Sequence, residues 1–314
     1  MRNDLAFLFP GQGSQALGML SALADTHAVV RATFAEASDA IGMDLWALAQ
    51  QGPEAELNRT INTQPALLAA GVAAWRAWRA AGGTEPAQLA GHSLGEYTAL
   101  VCADALSLAD ATRLVRERGR LMQEAVPEGA GAMAAVLNAD LSVLSEVCAA
   151  VSTDAEPVVP ANLNAPGQIV LSGAAAAMDR ALAELATRGV KRSIRLPVSV
   201  PSHSPLMRPA AEKLAAFMAD VAIAAPRIPV IHNADVAAHA DPAAIRAALA
   251  LQLHAPVRWI ETIEKLAAGG TARVLECGPG KVLCGTVKRI APAVESAAIG
   301  EPAGFDAALE GLRA

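Results

Sequence analysis

The stretch Gln88-Leu89-Ala90-Gly91-His92-Ser93-Leu94-Gly95 leads from a short apolar run into the pattern G-x-S-x-G. This pattern is typical of a nucleophile elbow, a sharp turn from a strand into a helix that exposes a serine at the end of a sheet. Glycines flank the serine because the two backbones pass close together in such a turn. The backbone N–H of Leu94 can then stabilise an oxyanion. The stretch predicts Ser93 as a nucleophile, and an ordinary strand–helix turn is the alternative.

The chain on both sides of this elbow alternates between predicted strands and predicted helices. Leu5–Phe9 and Arg273–Glu276 are predicted strands, and a helix is predicted over Thr63–Ala81 with Pro65 in its first turn. Alternation of this kind favours an α/β fold, with a mainly parallel sheet covered by helices on both faces.

Residues 128–199 follow a different pattern, which predicts a separate small domain. The predicted elements are strands at Ala132–Leu137, Val158–Leu163, Ile169–Ser172 and Arg192–Val198, and helices at Leu141–Val151 and Ala176–Thr187. Their order, β-α-β-β-α-β, is the ferredoxin-like arrangement. The 314 residues exceed the size at which one hydrophobic core usually stops growing. We therefore predict a small domain, residues 128–199, inserted into a large domain formed by residues 1–127 and 200–314.

The composition limits the classes of function. A formal net charge of −6 argues against general nucleic-acid affinity. The N-terminal apolar run Leu5–Phe9 is too short for a signal peptide, and no segment approaches the roughly 18 apolar residues of a membrane span. The four cysteines are far apart, which favours buried reduced thiols. We expect a cytoplasmic protein without a metal site and without nucleic-acid or membrane partners.

A serine nucleophile needs a base, and the chain has six histidines to supply it. His203 lies in Pro201-Ser202-His203-Ser204-Pro205, between the last strand of the small domain and the next predicted helix. The two prolines restrict this loop, and its position suits a residue that reaches across a cleft between domains. His232 is the nearest rival, and either residue could instead be a core histidine.

A glycine-rich loop, Gly11 to Ala16, follows the first predicted strand and fits the dinucleotide-binding pattern G-x-G-x-x-G/A. That interpretation requires an acidic residue at the end of a second strand about 20 residues later. Glu36 and Asp39 lie in a predicted helix instead, and Pro10 breaks the expected turn. The loop is better suited to supply a second oxyanion donor, the backbone N–H of Gln12.

The helix predicted to begin after Ser107 carries an arginine on its apolar side. Arg118 falls among four apolar residues that share one face at helical spacing: Ala111, Leu114, Val115 and Met122. A buried arginine is costly unless it is paired, and its planar guanidinium matches a carboxylate bidentately. Arg118 therefore meets either a structural carboxylate of this chain or an anionic ligand.

Five motifs occur in order along nearly the whole chain. They are Phe9-Pro10-Gly11-Gln12-Gly13-Ser14-Gln15, Gly91-His92-Ser93-Leu94-Gly95-Glu96-Tyr97, Arg118-Gly119 with Met122-Gln123, Pro201-Ser202-His203, and Glu276-Cys277-Gly278-Pro279-Gly280-Lys281. In this combination the chain resembles bacterial malonyl-CoA:acyl carrier protein transacylases. The resemblance implies an α/β-hydrolase-like large domain with a ferredoxin-like small domain. It also implies transfer of malonyl from malonyl-CoA, a substrate, to the phosphopantetheine thiol of acyl carrier protein in fatty acid biosynthesis, with no cofactor.

The resemblance implies roles for individual residues. Ser93 would be acylated, and His203 would take its proton and later deprotonate the carrier thiol. A backbone carbonyl at Gln252, rather than a carboxylate, would orient the histidine. The backbone N–H groups of Gln12 and Leu94 would form the oxyanion hole.

The remaining expected contacts are with the substrates. Arg118 would bind the free carboxylate of the malonyl group, which acetyl-CoA lacks. Asn162, with Gln252, would line the same site. Acyl carrier protein is acidic, so some basic residues would dock it, although a solvated charged face is the alternative for each. The candidates are Lys191, Arg192, Arg195, Lys281, Lys288 and Arg289.

Three alternatives remain open. A serine esterase or thioesterase could use the same elbow, although Arg118 on an apolar face argues against it. A free-standing acyltransferase serving a polyketide synthase, or the related subunit of malonate decarboxylase, would share the chemistry and differ in the carrier. A non-catalytic binding module would require Ser93 to be inert.

Overall fold

The computed structural model describes residues 2–198 and 200–313, and its strands form two separate sheets. The strands are β1 (Arg2–Phe9), β2 (Pro86–Gly91), β3 (Gly131–Leu137), β4 (Val158–Ala165), β5 (Gln168–Ala174), β6 (Arg192–Arg195), β7 (Val230–Ile231), β8 (Arg273–Glu276) and β9 (Glu295–Ala298). The helices are α1 (Ser21–Thr26), α2 (Val29–Ile41), α3 (Leu45–Gln51), α4 (Glu54–Leu57), α5 (Thr60–Ala80), α6 (Gly95–Cys102), α7 (Leu108–Glu124), α8 (Leu141–Val151), α9 (Ala175–Thr187), α10 (Arg208–Met218), α11 (Pro242–Gln252), α12 (Trp259–Ala268), α13 (Val282–Ile290) and α14 (Pro302–Arg313). A short 3-10 turn covers Pro205–Met207.

The first sheet is parallel, with the strand order β7-β2-β1-β8-β9. Leu5 to Phe9 in the central strand β1 are fully buried. These residues divide between two apolar clusters, one on each face of the sheet. A strand buried on both faces has no polar side, which explains why this run is apolar at every position. The predicted α/β fold with a mainly parallel sheet is confirmed.

The second sheet is antiparallel, with the order β4-β5-β3-β6. Helices α8 and α9 pack on it through an apolar core of their own. The chain order β3-α8-β4-β5-α9-β6 confirms the predicted ferredoxin-like small domain. The predicted domain boundaries, 127/128 and 199/200, stay a prediction. Of the residues at the predicted domain ends, Met1, Ser199 and Ala314 lie outside the described part of the chain.

Helix α5 begins earlier than predicted. It starts at Thr60 rather than Thr63, so the prediction that Pro65 lies in the first turn is wrong, and this proline sits inside the helix. The early start is stabilised by a distant side chain, because the Ile61 N–H donates to Gln123 Oε1 at 2.8 Å. A cap supplied by another helix leaves no local signal in the sequence.

Other elements also differ from the prediction in their length or were not predicted at all. Strand β6 ends at Arg195, where Arg192–Val198 was predicted, because Pro197 has no N–H for the ladder. Strand β7, at one edge of the parallel sheet, covers only two residues. Several elements were not predicted: α1, α3, α4, α13, β9 and α14. None of the helices in residues 2–198 and 200–313 is both long and apolar enough to cross a membrane.

The pairing of β1 with β2 brings two loops to one edge of the sheet. Phe9 pairs with Gly91, so the loop after β1 and the elbow after β2 emerge side by side. The elbow has no room for side chains at its glycines: a Cβ at Gly91 would lie 1.9 Å from the carbonyl carbon of Gly95. Ligands of open α/β sheets bind beyond the carboxyl ends of strands. This edge is therefore where a site is expected.

Candidate active site

Ser93 stands at the apex of the turn between β2 and α6. Its φ is +52°, in the left-handed region that non-glycine residues rarely adopt. The turn is held from outside, because the Ser93 N–H donates to Asn233 Oδ1 at 2.7 Å and Asn233 Nδ2 donates to the Gly91 carbonyl at 2.7 Å. A strained serine supported in this way is typical of a nucleophile elbow.

His203 reaches Ser93 from the loop that follows the small domain. Its Nε2 lies 2.8 Å from Ser93 Oγ, and its Nδ1 lies 2.7 Å from the backbone carbonyl of Gln252. A carbonyl oxygen can only accept, so the ring proton is on Nδ1 and Nε2 is free to take the serine proton. The two side chains have the geometry of a nucleophile and its general base.

The surroundings keep His203 neutral. The imidazole is 2 % exposed. Burial, followed by the nearby Arg118 cation, lowers the pKa of His203 to about 3. At neutral pH the ring is therefore an unprotonated base.

Arg118 lies in the same site, deep in the protein and 2 % exposed. Its Nη1 donates to Gln64 Oε1 at 2.8 Å, and its Nη2 donates to Gln252 Oε1 at 2.9 Å. The same Nη2 lies 3.3 Å from Ser93 Oγ. The guanidinium carbon lies 5.4 Å from the centroid of the Tyr97 ring, a cation–π distance.

The cation has only neutral hydrogen-bond partners. Within the described ranges no carboxylate oxygen is within ion-pair distance of Arg118, and its Nε has no hydrogen-bond partner. Burial lowers the pKa of this guanidinium, but arginine starts so high that it stays charged. Of the two alternatives left by the sequence, the structural carboxylate is not found among the described residues. A buried cation beside the nucleophile matches an anionic ligand.

The two predicted oxyanion donors come from the adjoining loops. The glycine-rich loop touches the elbow so closely that a Cβ at Gly11 would lie 2.5 Å from the His92 carbonyl oxygen. Gln12 and Leu94 both line the cavity that contains Ser93. Neither backbone N–H donates to a protein acceptor in the part of the chain described. Both donors are therefore free for a ligand oxygen.

A cavity of about 320 Å³ lies between the two domains at this edge. The large domain lines it with Ser93, His203 and Arg118, and the small domain contributes Asn162 from β4. Asn162 is 6 % exposed. The structure thus brings the seven predicted site residues around one cleft: Ser93, His203, Gln12, Leu94, Arg118, Gln252 and Asn162. Their individual roles stay predictions.

Sequence reasoning missed several polar residues that support this site. Gln64 accepts from Arg118, Asn233 holds the elbow, and Glu96 is a fully buried carboxyl that accepts from Asn233 N–H at 2.8 Å. A polar residue inside an apolar stretch was an available signal for Gln64, as it was for Arg118.

His232, the rival base, contacts Glu96 instead of the serine. Its Nδ1 lies 2.7 Å from Glu96 Oε1, and its side chain is 0 % exposed. Burial alone would lower the pKa of His232, but the Glu96 carboxylate and Asp235 raise it above its ordinary value. Among the described residues, His203 is the histidine that hydrogen-bonds Ser93 Oγ.

A serine paired with a neutral histidine beside free backbone donors can form and break an ester, so the fold and the site define a serine acyl-transfer or ester-hydrolysing enzyme. Comparisons narrow this class: a family model described as "Acyl transferase domain" matches residues 6–300. A malonyl CoA-acyl carrier protein transacylase of Salmonella typhimurium is 53 % identical over 98 % of this chain and 99 % of its own. The chain belongs to the malonyl CoA-acyl carrier protein transacylase family, which confirms the resemblance predicted from the motifs.

Solved structures agree with this placement. The crystal structure of a malonyl-CoA:acyl carrier protein transacylase from Xanthomonas oryzae has a TM-score of 0.98 and 56 % identity, and the match covers 99 % of both chains. A malonyl-transacylase in complex with a type II PKS acyl-carrier protein has a TM-score of 0.96 and 51 % identity, covering 98 % of this chain and 99 % of that one.

Proposed function

We propose that this protein transfers a malonyl group from malonyl-CoA to the phosphopantetheine thiol of an acyl carrier protein, through an ester on Ser93, in fatty acid biosynthesis. The observation that carries the proposal is Arg118, a buried cation whose Nη2 lies 3.3 Å from Ser93 Oγ and which has no carboxylate partner among the described residues. It supplies the counter-charge for a substrate that carries a carboxylate at its acyl end.

In the first half-reaction, His203 Nε2 takes the proton of Ser93 Oγ as this oxygen attacks the thioester carbonyl. The carbonyl oxygen becomes an oxyanion and accepts from the N–H groups of Gln12 and Leu94. The tetrahedral intermediate then breaks its C–S bond, and the thiolate of coenzyme A leaves with the proton held by His203.

In the second half-reaction the carrier thiol occupies the place of coenzyme A. His203 removes the thiol proton, the thiolate attacks the malonyl ester, and the proton returns to Ser93 Oγ as the ester bond breaks. Every step uses a side chain or a backbone N–H, so we propose that the reaction needs no cofactor and no metal.

Substrate selection follows from the burial of Arg118. A malonyl carboxylate would pair with the guanidinium in a site of low dielectric constant, whereas an acetyl group would leave it with neutral partners only. Loss of one partner from a buried charge pair costs about 3–5 kcal/mol. The difference between the two transition states is the physical basis of the proposed preference for malonyl-CoA.

The carrier is proposed to dock on the small domain beside the cleft. Lys191 and Arg192 are exposed and make no ion pair within the described ranges. Two other candidates are less available, because Arg195 donates to Asp179 at 2.6 Å and Arg289 donates to the Pro166 carbonyl at 2.6 Å. A relative was solved with a type II PKS acyl-carrier protein, so a polyketide carrier is the second candidate.

We also propose that the protein works in the cytoplasm. All four cysteines are free thiols, and three of them are buried: Cys102, Cys148 and Cys277. Unpaired cysteines are typical of a reducing compartment.

The test of the proposed function compares Arg118→Met with the wild-type protein in transfer to holo acyl carrier protein. The variant keeps an unbranched side chain and removes the charge. We expect kcat/KM for malonyl-CoA to fall about 150- to 5000-fold because the carboxylate loses its partner. Transfer from acetyl-CoA should be unchanged or faster, since no cation is left unpaired.

Arg120→Met is the matched control, because this arginine lies two residues away in α7 and its partly exposed side chain forms ion pairs with Glu117 and Glu124. It should leave both transfers within about twofold of wild type. An equal loss with malonyl-CoA and acetyl-CoA in Arg118→Met would refute the proposed selection. Ser93-dependent hydrolysis of simple esters without malonyl transfer would favour an esterase.

A further inference from the structure

Glu96 is a buried carboxyl group that lies behind the reacting atoms. It is the second residue of α6 and is 0 % exposed. Its Oε1 lies 2.7 Å from His232 Nδ1, and its Oε2 accepts from the Asn233 N–H at 2.8 Å and from Gln252 Nε2 at 3.0 Å. The transfer mechanism leaves this carboxyl unused, although two of its partners contact the reacting residues.

Gln252 is the first of these partners. Its backbone carbonyl orients His203, its Oε1 accepts from Arg118, and its Nε2 donates to the Ser93 carbonyl at 2.9 Å as well as to Glu96. Arginine only donates, and the Ser93 carbonyl and the Glu96 oxygen accept here, so one orientation of the carboxamide satisfies all its neighbours. Glu96 fixes the amide end of that carboxamide and thereby directs its oxygen to the cation.

Asn233 is the second partner. Its backbone N–H donates to Glu96, and its side chain holds the N–H of Ser93 and the carbonyl of Gly91. The left-handed backbone of Ser93 is therefore supported by a residue that Glu96 anchors.

Glu96 also carries charge close to Arg118 without touching it. The carboxyl is separated from the guanidinium by the Gln252 carboxamide. Burial lowers the pKa of Arg118 and the Glu96 charge opposes this effect, so Glu96 stabilises the buried cation and still leaves it available for a substrate carboxylate. A direct ion pair would occupy the guanidinium, so the interposed glutamine separates these two effects.

We infer that Glu96 is a positioning residue: through Gln252 and Asn233 it holds the nucleophile, the base and the cation in one geometry for acylation. The inference rests on the proposed function, since malonyl transfer is the reaction that this geometry serves. Positioning residues act at a distance because small displacements of reacting groups are costly, about 100-fold in rate for 1 Å.

The test is single-turnover malonylation of Ser93 in Glu96→Gln, followed by rapid quenching and mass spectrometry. The substitution keeps the shape, removes the charge and replaces one acceptor oxygen by an NH2 group, which faces either His232 Nδ1 or the donors of Asn233 and Gln252. We expect the rate at saturating malonyl-CoA to fall about 10- to 100-fold, with a much smaller change in half-saturation. The proton NMR resonance of the His203 Nδ1–H should shift, since its acceptor is the Gln252 carbonyl.

Glu276→Gln is the matched control. Glu276 is also 0 % exposed, and its Oε2 accepts from the Cys284 N–H at 2.8 Å, at the start of α13. Loss of a buried carboxyl should lower the thermal midpoint in both variants, but only Glu96→Gln should slow acylation and move the resonance. A wild-type rate in Glu96→Gln, or equal slowing in both variants, would overturn the inference.

If Glu96→Gln does not fold, Glu96→Asp tests the positioning role instead. It keeps the charge and withdraws the carboxyl by one methylene, so slower acylation with a shifted His203 resonance supports positioning, and a wild-type rate contradicts it. Failure of the proposed function has a different signature, because wild-type protein would not be malonylated. The His203 resonance would then test the positioning by itself.

Discussion

His203 illustrates how a single residue acquires its chemistry from its surroundings. An exposed histidine would be half protonated near pH 6.5. Burial and the Arg118 cation hold the pKa of this one at about 3. The lowered value keeps the base unprotonated, and the Gln252 carbonyl keeps its free nitrogen towards Ser93.

The first prediction concerns the pH dependence of Ser93 reactivity. Inactivation by phenylmethylsulfonyl fluoride, an uncharged serine reagent, should proceed at a nearly constant rate from pH 8 down to about pH 5, because the base protonates only well below its ordinary range. In Arg118→Met the acid limb should move to higher pH, since removing a cation makes protonation of His203 easier. An acid limb centred near pH 6.5 in the wild-type protein would contradict this account.

The same shift has a consequence for stability. Between about pH 6.5 and pH 3 the unfolded chain binds a proton at residue 203 that the folded protein does not. The contribution of this residue to the free energy of unfolding is therefore present above pH 6.5 and is lost as the pH falls through this window.

The sequence singles out individual residues where the chain itself constrains the geometry, and the structure places Ser93 and Arg118 at one cleft. Ser93 lies between two required glycines, and Arg118 interrupts an apolar face, so both stand out without a structure. No comparable local sequence pattern singles out Gln252 or Asn233. Their contacts with Ser93 join positions 159 and 140 residues apart, and spacing cannot reveal which distant amide will meet the elbow.

At the scale of elements, the elbow is a contact between backbones. A Cβ at Gly95 would lie 2.0 Å from the Phe9 carbonyl oxygen, and Phe9 is the last residue of the central strand β1. Because Phe9 and Gly95 are both buried, this contact fixes how closely the loop after β1, which contains Gln12, approaches the elbow that contains Ser93.

Gly95→Ala should therefore destabilise the protein by about 3 kcal/mol or more and slow Ser93 acylation, since the clash is with backbone atoms. Thermal unfolding and single-turnover acylation measure the two effects. Gly285→Ala in α13 is the control: a Cβ there meets no atom within 4 Å, and alanine favours the helix by up to about 1 kcal/mol. Similar thermal midpoints in the two variants would disprove the close contact.

Elements were predictable where the hydrophobic pattern agrees with the residues that typically begin or end an element, as in β1, α8 and β8. Strand β9 was missed because Glu295-Ser296-Ala297-Ala298 has little intrinsic preference for a strand. It becomes one by pairing with β8 at the edge of the sheet. Helix α5 was placed three residues late because its first turn is capped by α7 and not by its own sequence.

At the scale of the whole molecule, the distribution of charge over the fold bears on how an acidic carrier protein could dock. The net charge of −6 would repel an acidic carrier, so docking depends on a local excess of positive charge. Arg192 lies on β6, the edge strand of the small domain, and residues just beyond this strand line the cleft. The composition therefore predicts that docking needs a local basic surface, and the fold places Arg192 near the cleft.

Charge reversal in Arg192→Glu should raise KM for acyl carrier protein about 3- to 10-fold at low salt, because charged residues at the rim of an interface mainly affect association. The effect should shrink as ionic strength rises. Malonylation of Ser93 by malonyl-CoA should be unchanged. Steady-state transfer with varied carrier measures the first effect.

Arg31→Glu, on α2 of the large domain, changes the net charge equally and serves as the control. It should leave the KM for the carrier near the wild-type value. If both variants raise KM to the same degree, long-range charge alone accounts for the effect. An unchanged KM in Arg192→Glu at low salt would exclude this docking surface.

The central claim is that Ser93 carries the malonyl group between two thiols. Intact-protein mass spectrometry after brief mixing with malonyl-CoA, or with acetyl-CoA, tests it most directly, with Ser93→Ala as the control. We predict a gain of one malonyl group in the wild-type protein, none with acetyl-CoA or in the variant, and loss of the adduct when holo acyl carrier protein is added. An adduct that persists in Ser93→Ala, or no adduct with malonyl-CoA, would contradict the account.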